Sequence, residues 1–307
     1  MSSKPFRAPS MASFFDNLRS SRLRAVFRRG EVALVVLAIF VGAAAGLFVA
    51  LIGAITTALH VLVFGVERLS SSDLSGYIVL VGPLAGGIIL GVMIFVISKT
   101  RKKPMIDPIE ANALHGGRVS LTDSVIVCVQ NIISNGFGAS VGLEAGYTQV
   151  ASGIASKLGL NLKLRRGDMR ILVGCGAAGA IAAAFNAPLT GAFYAIELII
   201  GTYTIVTLAP LVVSALVATI VTGLLSQHGL SIDIAGSNTV TPPDYVPAIF
   251  LGAVCAGIGI ILMQAVSFIE ETARKSRIPI WLRPAMGGIV VGALALISPQ
   301  VLSSGHG

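Results

Sequence analysis

Apolar positions in this chain come in long unbroken runs, not at alternating or heptad spacing. The first run covers about residues 32–66 and holds no Asp, Glu, Lys or Arg. As one helix it would be roughly 50 Å long against a hydrocarbon core of about 30 Å, so it must be strongly tilted or bent. The polar link "ERLSSSDLSG" leads to a second run at about 77–98, closed by "KTRKK". Weaker segments follow: a short stretch after Pro108, a run near 120–137 and another near 144–160, then the basic loop "LKLRRGDMR". Beyond it, "ILVGCGAAGAIAAAFNAPLTGAFYAIELIIG" is too long for one helix and is interrupted at Asn186-Ala187-Pro188. Proline biases its preceding residue away from the helix, so this stretch predicts two shorter helices meeting at a break. Runs at about 205–226, 246–269 and 284–298 complete the pattern.

Composition turns these runs into membrane spans. The chain is 54% hydrophobic and only 12% charged, about half the charge of a soluble domain. The fold class is therefore an all-α polytopic membrane protein in a lipid bilayer. Its 35 glycines let helices approach closely and tolerate breaks. The formal net charge of +8 does not point to nucleic acid, because the basic residues flank apolar segments, where they set topology. Cys128, Cys175 and Cys255 lie far apart in apolar runs and read as small buried hydrophobes. The four histidines form no ligand pattern, so neither a metal nor a cofactor is expected. No nucleophile–base set argues for an enzyme. Residues 1–30, rich in Arg and Ser, read as a retained cytoplasmic segment lying on the membrane surface.

A repeat is visible. "PLAGGIILG" at 83–91 returns as "PAMGGIVVG" at 284–292, and the preceding helices match loosely. In the first copy Lys and Arg lie outside the helix pair, at 19–29 and 99–103, and the link holds only Arg68. In the second the link itself is basic, "ARKSRIPIWLR". By the positive-inside rule the first pair starts and ends in the cytoplasm and the second outside, so the repeat is inverted. That architecture places a substrate site at the midplane, lined by broken helices. The organisation read is a first membrane repeat over 31–226, an external link at 227–245, and the start of a second, inverted repeat over 246–307. The second repeat is incomplete, with only its first two helices.

One carboxylate stands inside an apolar stretch: Glu144, in "GFGASVGLEAGYTQ" at 136–149. Glycines at 136, 138, 142 and 146 free backbone N–H groups where a helix begins, and such an end attracts anions. Pro108 and Pro188 are placed to start further helices. A carboxylate in a bilayer costs several kcal/mol unless it has partners or faces a watery path. At a helix N-terminus its charge is welcome, so Glu144 can itself fill the anion site and, once protonated, swing away to admit an anion. The plainer alternative is a carboxylate that merely caps a helix near solvent.

These residues resemble the CLC chloride channel and transporter family. "GLEAG" with Gln149 is similar to its "GREGP" element and following glutamine, and "AAAFNAPLTG" with Glu197 is similar to its "AAAFNAPLAG…E" segment. "PMIDPIEANAL" stands where the family has "GSGIPEI". The resemblance runs over residues 32–307. It implies a CLC-type inverted-repeat fold, a homodimer with one pore per subunit in the cell membrane, and movement of chloride or a related halide, as a channel or in exchange for protons. Glu144 falls on the family's gating glutamate. Met105 falls on the serine that coordinates the central anion, and a thioether donates no hydrogen bond. Fluoride-exporting members also lack that serine, so fluoride stays open.

The resemblance assigns Met105, Ile106 and Pro108, with Gly142, Leu143, Ala145 and Gly146, to the anion path. Leu143, Ala145 and Gly146 replace the usual Arg, Gly and Pro. Asn186 and Pro188 form a structural junction and Glu197 ends its helix, while Leu198 stands where many exchangers carry an inner proton-relay glutamate. Asp107 and Glu110 read as vestibule or capping charges, and Asp123 and Asp168 as helix-end charges. Two further readings differ in class: a half-subunit active only with a partner supplying the missing helices, and a cation transporter with Glu144 as ligand.

Overall fold

The computed structural model describes residues 31–66, 69, 76–101, 104–225, 243 and 245–302. Residues 1–30 and most of the 227–245 link lie outside them, and so do their expected placements. The helices are α1 Glu31–Phe64, α2 Gly76–Thr100, α3 Pro108–Leu114, α4 Leu121–Gly136, α5 Glu144–Asn161, α6 Arg166–Phe185, α7 Pro188–Tyr194, α8 Ile205–Leu225, α9 Tyr245–Lys275 and α10 Arg283–Ile297. A π-helical turn, Ala195–Ile200, continues α7, and a 3₁₀ turn, Pro299–Val301, follows α10. No strand occurs among the described residues. Five helices, α1, α2, α6, α8 and α9, are long and apolar enough to cross a membrane.

α2 is apolar nearly all round, and its buried residues are Val79, Gly82, Pro83, Gly86, Gly87 and Gly91, so its inner side differs from its outer side in size of side chain more than in polarity. Lipid tails give apolar helices no hydrophobic reason to associate, and close packing takes over. Gly42 and Gly46 of α1 lie directly on the backbone of Ser214 and Ala218 in α8. Gly176 of α6 lies on Ala151 of α5. α6 is the central helix: Leu172, Val173, Ala177, Ala178, Ala180 and Ala182 are fully buried. Short polar side chains bond across the seams, with Ser214 Oγ donating to Cys175 O at 2.7 Å and Thr222 Oγ1 to Gly46 O at 2.8 Å.

The sequence repeat becomes a physical pair where α2 meets α10. Gly87 abuts Pro284 and Gly288 abuts Pro83; Gly91 abuts Trp281 and Gly292 abuts Leu80. Each contact of one copy is thus returned by the equivalent residues of the other, which is how surfaces related by a two-fold axis touch. As the position along α2 rises from Leu80 to Gly91, its partner falls from Gly292 of α10 to Trp281 just before that helix, so the two helices run antiparallel. Equivalent helices that pack antiparallel are related by an axis across them, which is an inverted repeat. The shared glycines are the residues that let the two backbones touch.

α9 differs from the expected run of 246–269 by continuing to Lys275. Its last turns carry the ion pairs Glu270–Arg274 at 2.5 Å and Glu271–Lys275 at 2.6 Å. This i,i+4 spacing supports a helix through a segment that composition alone marks as a link. α9 buries none of its residues, so Cys255 is exposed, contrary to the expectation that all three cysteines are buried. Cys128 and Cys175 are buried as expected.

Candidate functional site

Two helix N-termini stand at segments that a hydrogen bond from Gln149 to Ile106 O ties together, one after the 104–107 loop and one after the 137–143 loop. The first belongs to α3. Asp107, in extended conformation, is its N-cap, and its carboxylate accepts from the Glu110 backbone N–H at 2.7 Å. Pro108 follows as the first helical residue, buried, where its missing N–H costs nothing. Met105 and Ile106 are half-buried just before it and Asp107 is exposed.

The second N-terminus is that of α5, and it is built differently. Leu143 holds the N-cap position in a helical conformation and contributes no side-chain hydrogen bond. The donors of the first turn are therefore left without a side-chain acceptor from the preceding residue. Glu144 is the first residue of α5 and half-buried. Its carboxylate folds back against Gly142, into the space a Cβ there would fill. Glycine at 142 is thus what seats the carboxylate. Ala145 is exposed and Gly146 buried. Gly146, in the first turn of α5, also packs closely on Asn131 and Cys128 of α4, as Gly136 does on Leu59 of α1.

The loop before Glu144 is pinned from behind. Gly138 turns the chain with φ of +86°, Asn135 Nδ2 donates to Val141 O at 2.7 Å, and His60 Nε2 lies 3.0 Å from Asn135 O. One bond joins the two helix ends: Gln149 Nε2, buried on α5, donates to Ile106 O at 3.0 Å. Gln149 is only five residues along α5 from Glu144, a rise of about 7.5 Å.

The expected break falls where the sequence put it. Asn186 takes the left-handed conformation (φ 51°) and caps α6, Ala187 N–H returns to Ala182 O at 3.0 Å, and Pro188 starts α7. The junction is held by backbone; asparagine tolerates this conformation better than most residues do. Glu197 lies in the π-helical turn, exposed, and accepts from Tyr203 Oη at 2.8 Å. That bond holds the Tyr203 phenol, in the loop beyond, above its ordinary pKa. Leu198 is exposed beside it. Of the helix-end charges, Asp123 pairs with Arg101, joining the end of α2 to the start of α4, and Asp168 lies in the first turn of α6.

The bonds of Gln149 to Ile106 O and of His60 to Asn135 O escape sequence reasoning, because each joins distant segments. The signals present were that Gln149 and His60 are both polar residues in apolar runs and that Gln149 follows the "GLEAG" element.

With this geometry in view, the comparisons with known proteins agree in direction. The profile of the voltage gated chloride channel family matches residues 86–307. A ClcB-like chloride channel protein of Ralstonia nicotianae is 31% identical over 229 residues, covering 73% of this chain and 53% of that protein. The voltage-gated ClC-type chloride channel ClcB of Shigella flexneri is 27% identical over 241 residues, covering 77% and 57%. The chain thus spans about half the length of these curated relatives. In fold it is similar to a slow cyanobacterial Cl⁻/H⁺ antiporter, with TM-score 0.70, 21% identity and coverage of 89% of this chain and 66% of that one. It is also similar to a CLC-type fluoride/proton antiporter, with TM-score 0.73, 21% identity and coverage of 89% and 67%.

Proposed function

This chain belongs to the voltage gated chloride channel family, and we propose that the full-length protein moves chloride or a related halide across the cell membrane with Glu144 as its gate. The observation that carries this reading is the Glu144 carboxylate folded over Gly142 at an N-terminus that no preceding side chain caps. A helix end of that kind binds an anion without a full positive charge, weakly enough to release it. Deprotonated, Glu144 competes with the anion for those donors. Protonated, it loses the attraction and leaves the seat to the halide. If the same proton is carried across, the protein is an exchanger; if not, a channel. The whole protein is expected to be a homodimer with a cytoplasmic N-terminus.

The test is halide efflux from liposomes holding the full-length protein, measured as pH is varied. Wild-type flux rises as pH falls, and Glu144→Gln makes it high and insensitive to pH. Steep pH dependence persisting in Glu144→Gln would remove Glu144 from the gate.

A fluoride-selective reading draws on Met105. Its thioether, half-buried beside Ile106, offers no hydrogen-bond donor to an anion at that position. Parallel efflux of fluoride and chloride with ion-selective electrodes separates the two readings. A half-subunit reading is tested in the same assay on residues 1–307 alone, since efflux without any partner would dispose of it.

A further inference from the structure

Behind the first turn of α5, four polar side chains line the seam between α1 and α4. His60 of α1 is 7% exposed and bonded to Asn135 O, and Leu59 lies against Gly136. One turn lower on α1 is Thr56, 3% exposed, and one turn lower on α4 is Asn131. Lower still, Ile52 of α1 and Cys128 of α4 share one apolar cluster with Tyr147 of α5. α1 and α4 thus touch at His60–Asn135 and Leu59–Gly136, and Thr56 and Asn131 each lie one turn before that contact on their own helices.

Both are polar atoms without a partner. Thr56 Oγ1 and Asn131 Oδ1 are buried and have no hydrogen bond among the described residues. The hydroxyl of Tyr147 reaches toward Gly53, three residues before Thr56 on the same face of α1. Gly146, next to Tyr147, packs against the Cβ of Asn131. Three polar groups from three helices thus converge behind Glu144, with apolar layers below and the His60–Asn135 bond above.

We propose that α1, α4 and α5 enclose a water-binding site bounded by Thr56, Asn131 and Tyr147. Leaving two polar atoms unpaired inside a protein is unfavourable for each, and buried waters answer such groups with about three hydrogen bonds apiece. The partners present select water over an ion. Asn131 Oδ1 only accepts, while the Thr56 and Tyr147 hydroxyls can donate or accept. An anion would leave Asn131 Oδ1 unanswered, water satisfies both kinds of group, and neutral oxygens in this number are too few for a metal cation. The water ties the wall of α1 and α4 to the helix turn that carries Glu144. The site does not depend on Glu144 being the gate.

The test uses Thr56→Val and Asn131→Leu in the full-length protein, singly and together. Both keep side-chain volume and remove the polar atom. If one water bridges the pair, each single variant strands the other's group and lowers the midpoint of thermal unfolding in detergent. The double variant then loses clearly less than the two losses added, whereas strict additivity overturns the site. Radiolytic hydroxyl-radical footprinting supplies a readout that packing alone does not move. Tyr147 is modified despite its burial in the wild type, and that modification falls several-fold in the double variant. An unmodified wild-type Tyr147, or one modified equally in the double variant, refutes the water. The wild-type footprint stands even if a variant fails to fold.

Discussion

The N-termini of α3 and α5 each carry a carboxylate and use it differently. At α3 the carboxylate of Asp107 sits at the N-cap, on a short side chain, and is consumed by one bond to the Glu110 N–H. At α5 the carboxylate belongs to the first helical residue, on a longer side chain, and rests over Gly142 with no N-cap bond beneath it. An N-cap carboxylate is part of the helix it starts, and removing it costs helix stability. A carboxylate seated one position later, over a glycine, can leave without unwinding anything. Position by a single residue separates an acid held as a cap from one that no cap bond holds.

Glu144→Gln and Asp107→Asn should therefore diverge most. In liposome efflux the first abolishes pH dependence and the second retains it. Equal effects from the two would collapse the distinction. Gly142→Ala comes next. The added methyl takes the space of the Glu144 carboxylate, so the carboxylate loses its seat. Efflux at high pH rises toward that of Glu144→Gln while some pH dependence survives. A Gly142→Ala protein with wild-type efflux at every pH would mean the seat is unimportant.

Gln149→Leu tests the link between the two ends. It strands Ile106 O, a cost of about 1–3 kcal/mol if the carbonyl stays dry. A lowered midpoint of thermal unfolding together with altered halide affinity is expected. Lowered stability at unchanged affinity would show that the 104–107 loop does not depend on α5 for its place.

How far the sequence carried this account follows the range of each interaction. The first two apolar runs became α1 and α2, and the break at Asn186-Pro188 appeared where proline and a left-handed residue dictate it, because those are local effects. The repeat was legible because both copies need glycine at the same crossing, where Gly87 meets Pro284 and Gly288 meets Pro83. Glu144 stood out as a charge where none belongs. What stayed hidden was long-range: the Gln149–Ile106 bond spans 43 residues and the His60–Asn135 bond 75. The close packing of Gly146 on Asn131 was hidden too, a neighbour no periodicity names. The extension of α9 to Lys275 was written in the Glu270–Arg274 and Glu271–Lys275 spacing, but charge density masked it as a link.

The smallest effect gives the finest test of the comparison. Asp107→Ala removes the acceptor for the Glu110 N–H and should cost about 1 kcal/mol, the usual loss when an N-cap side chain is cut to alanine. Asp107→Asn keeps an acceptor oxygen at the same place, and asparagine caps about as well as aspartate, so its cost should be near zero. Thermal unfolding of the two variants in detergent separates cap from charge: a drop for alanine alone identifies Asp107 as a cap. If Asp107→Asn falls as far as Asp107→Ala, the negative charge and not the cap bond is what the α3 end requires. The α3 carboxylate would then be held by the same electrostatics that seat Glu144, and the two ends would differ only in how free the side chain is to leave.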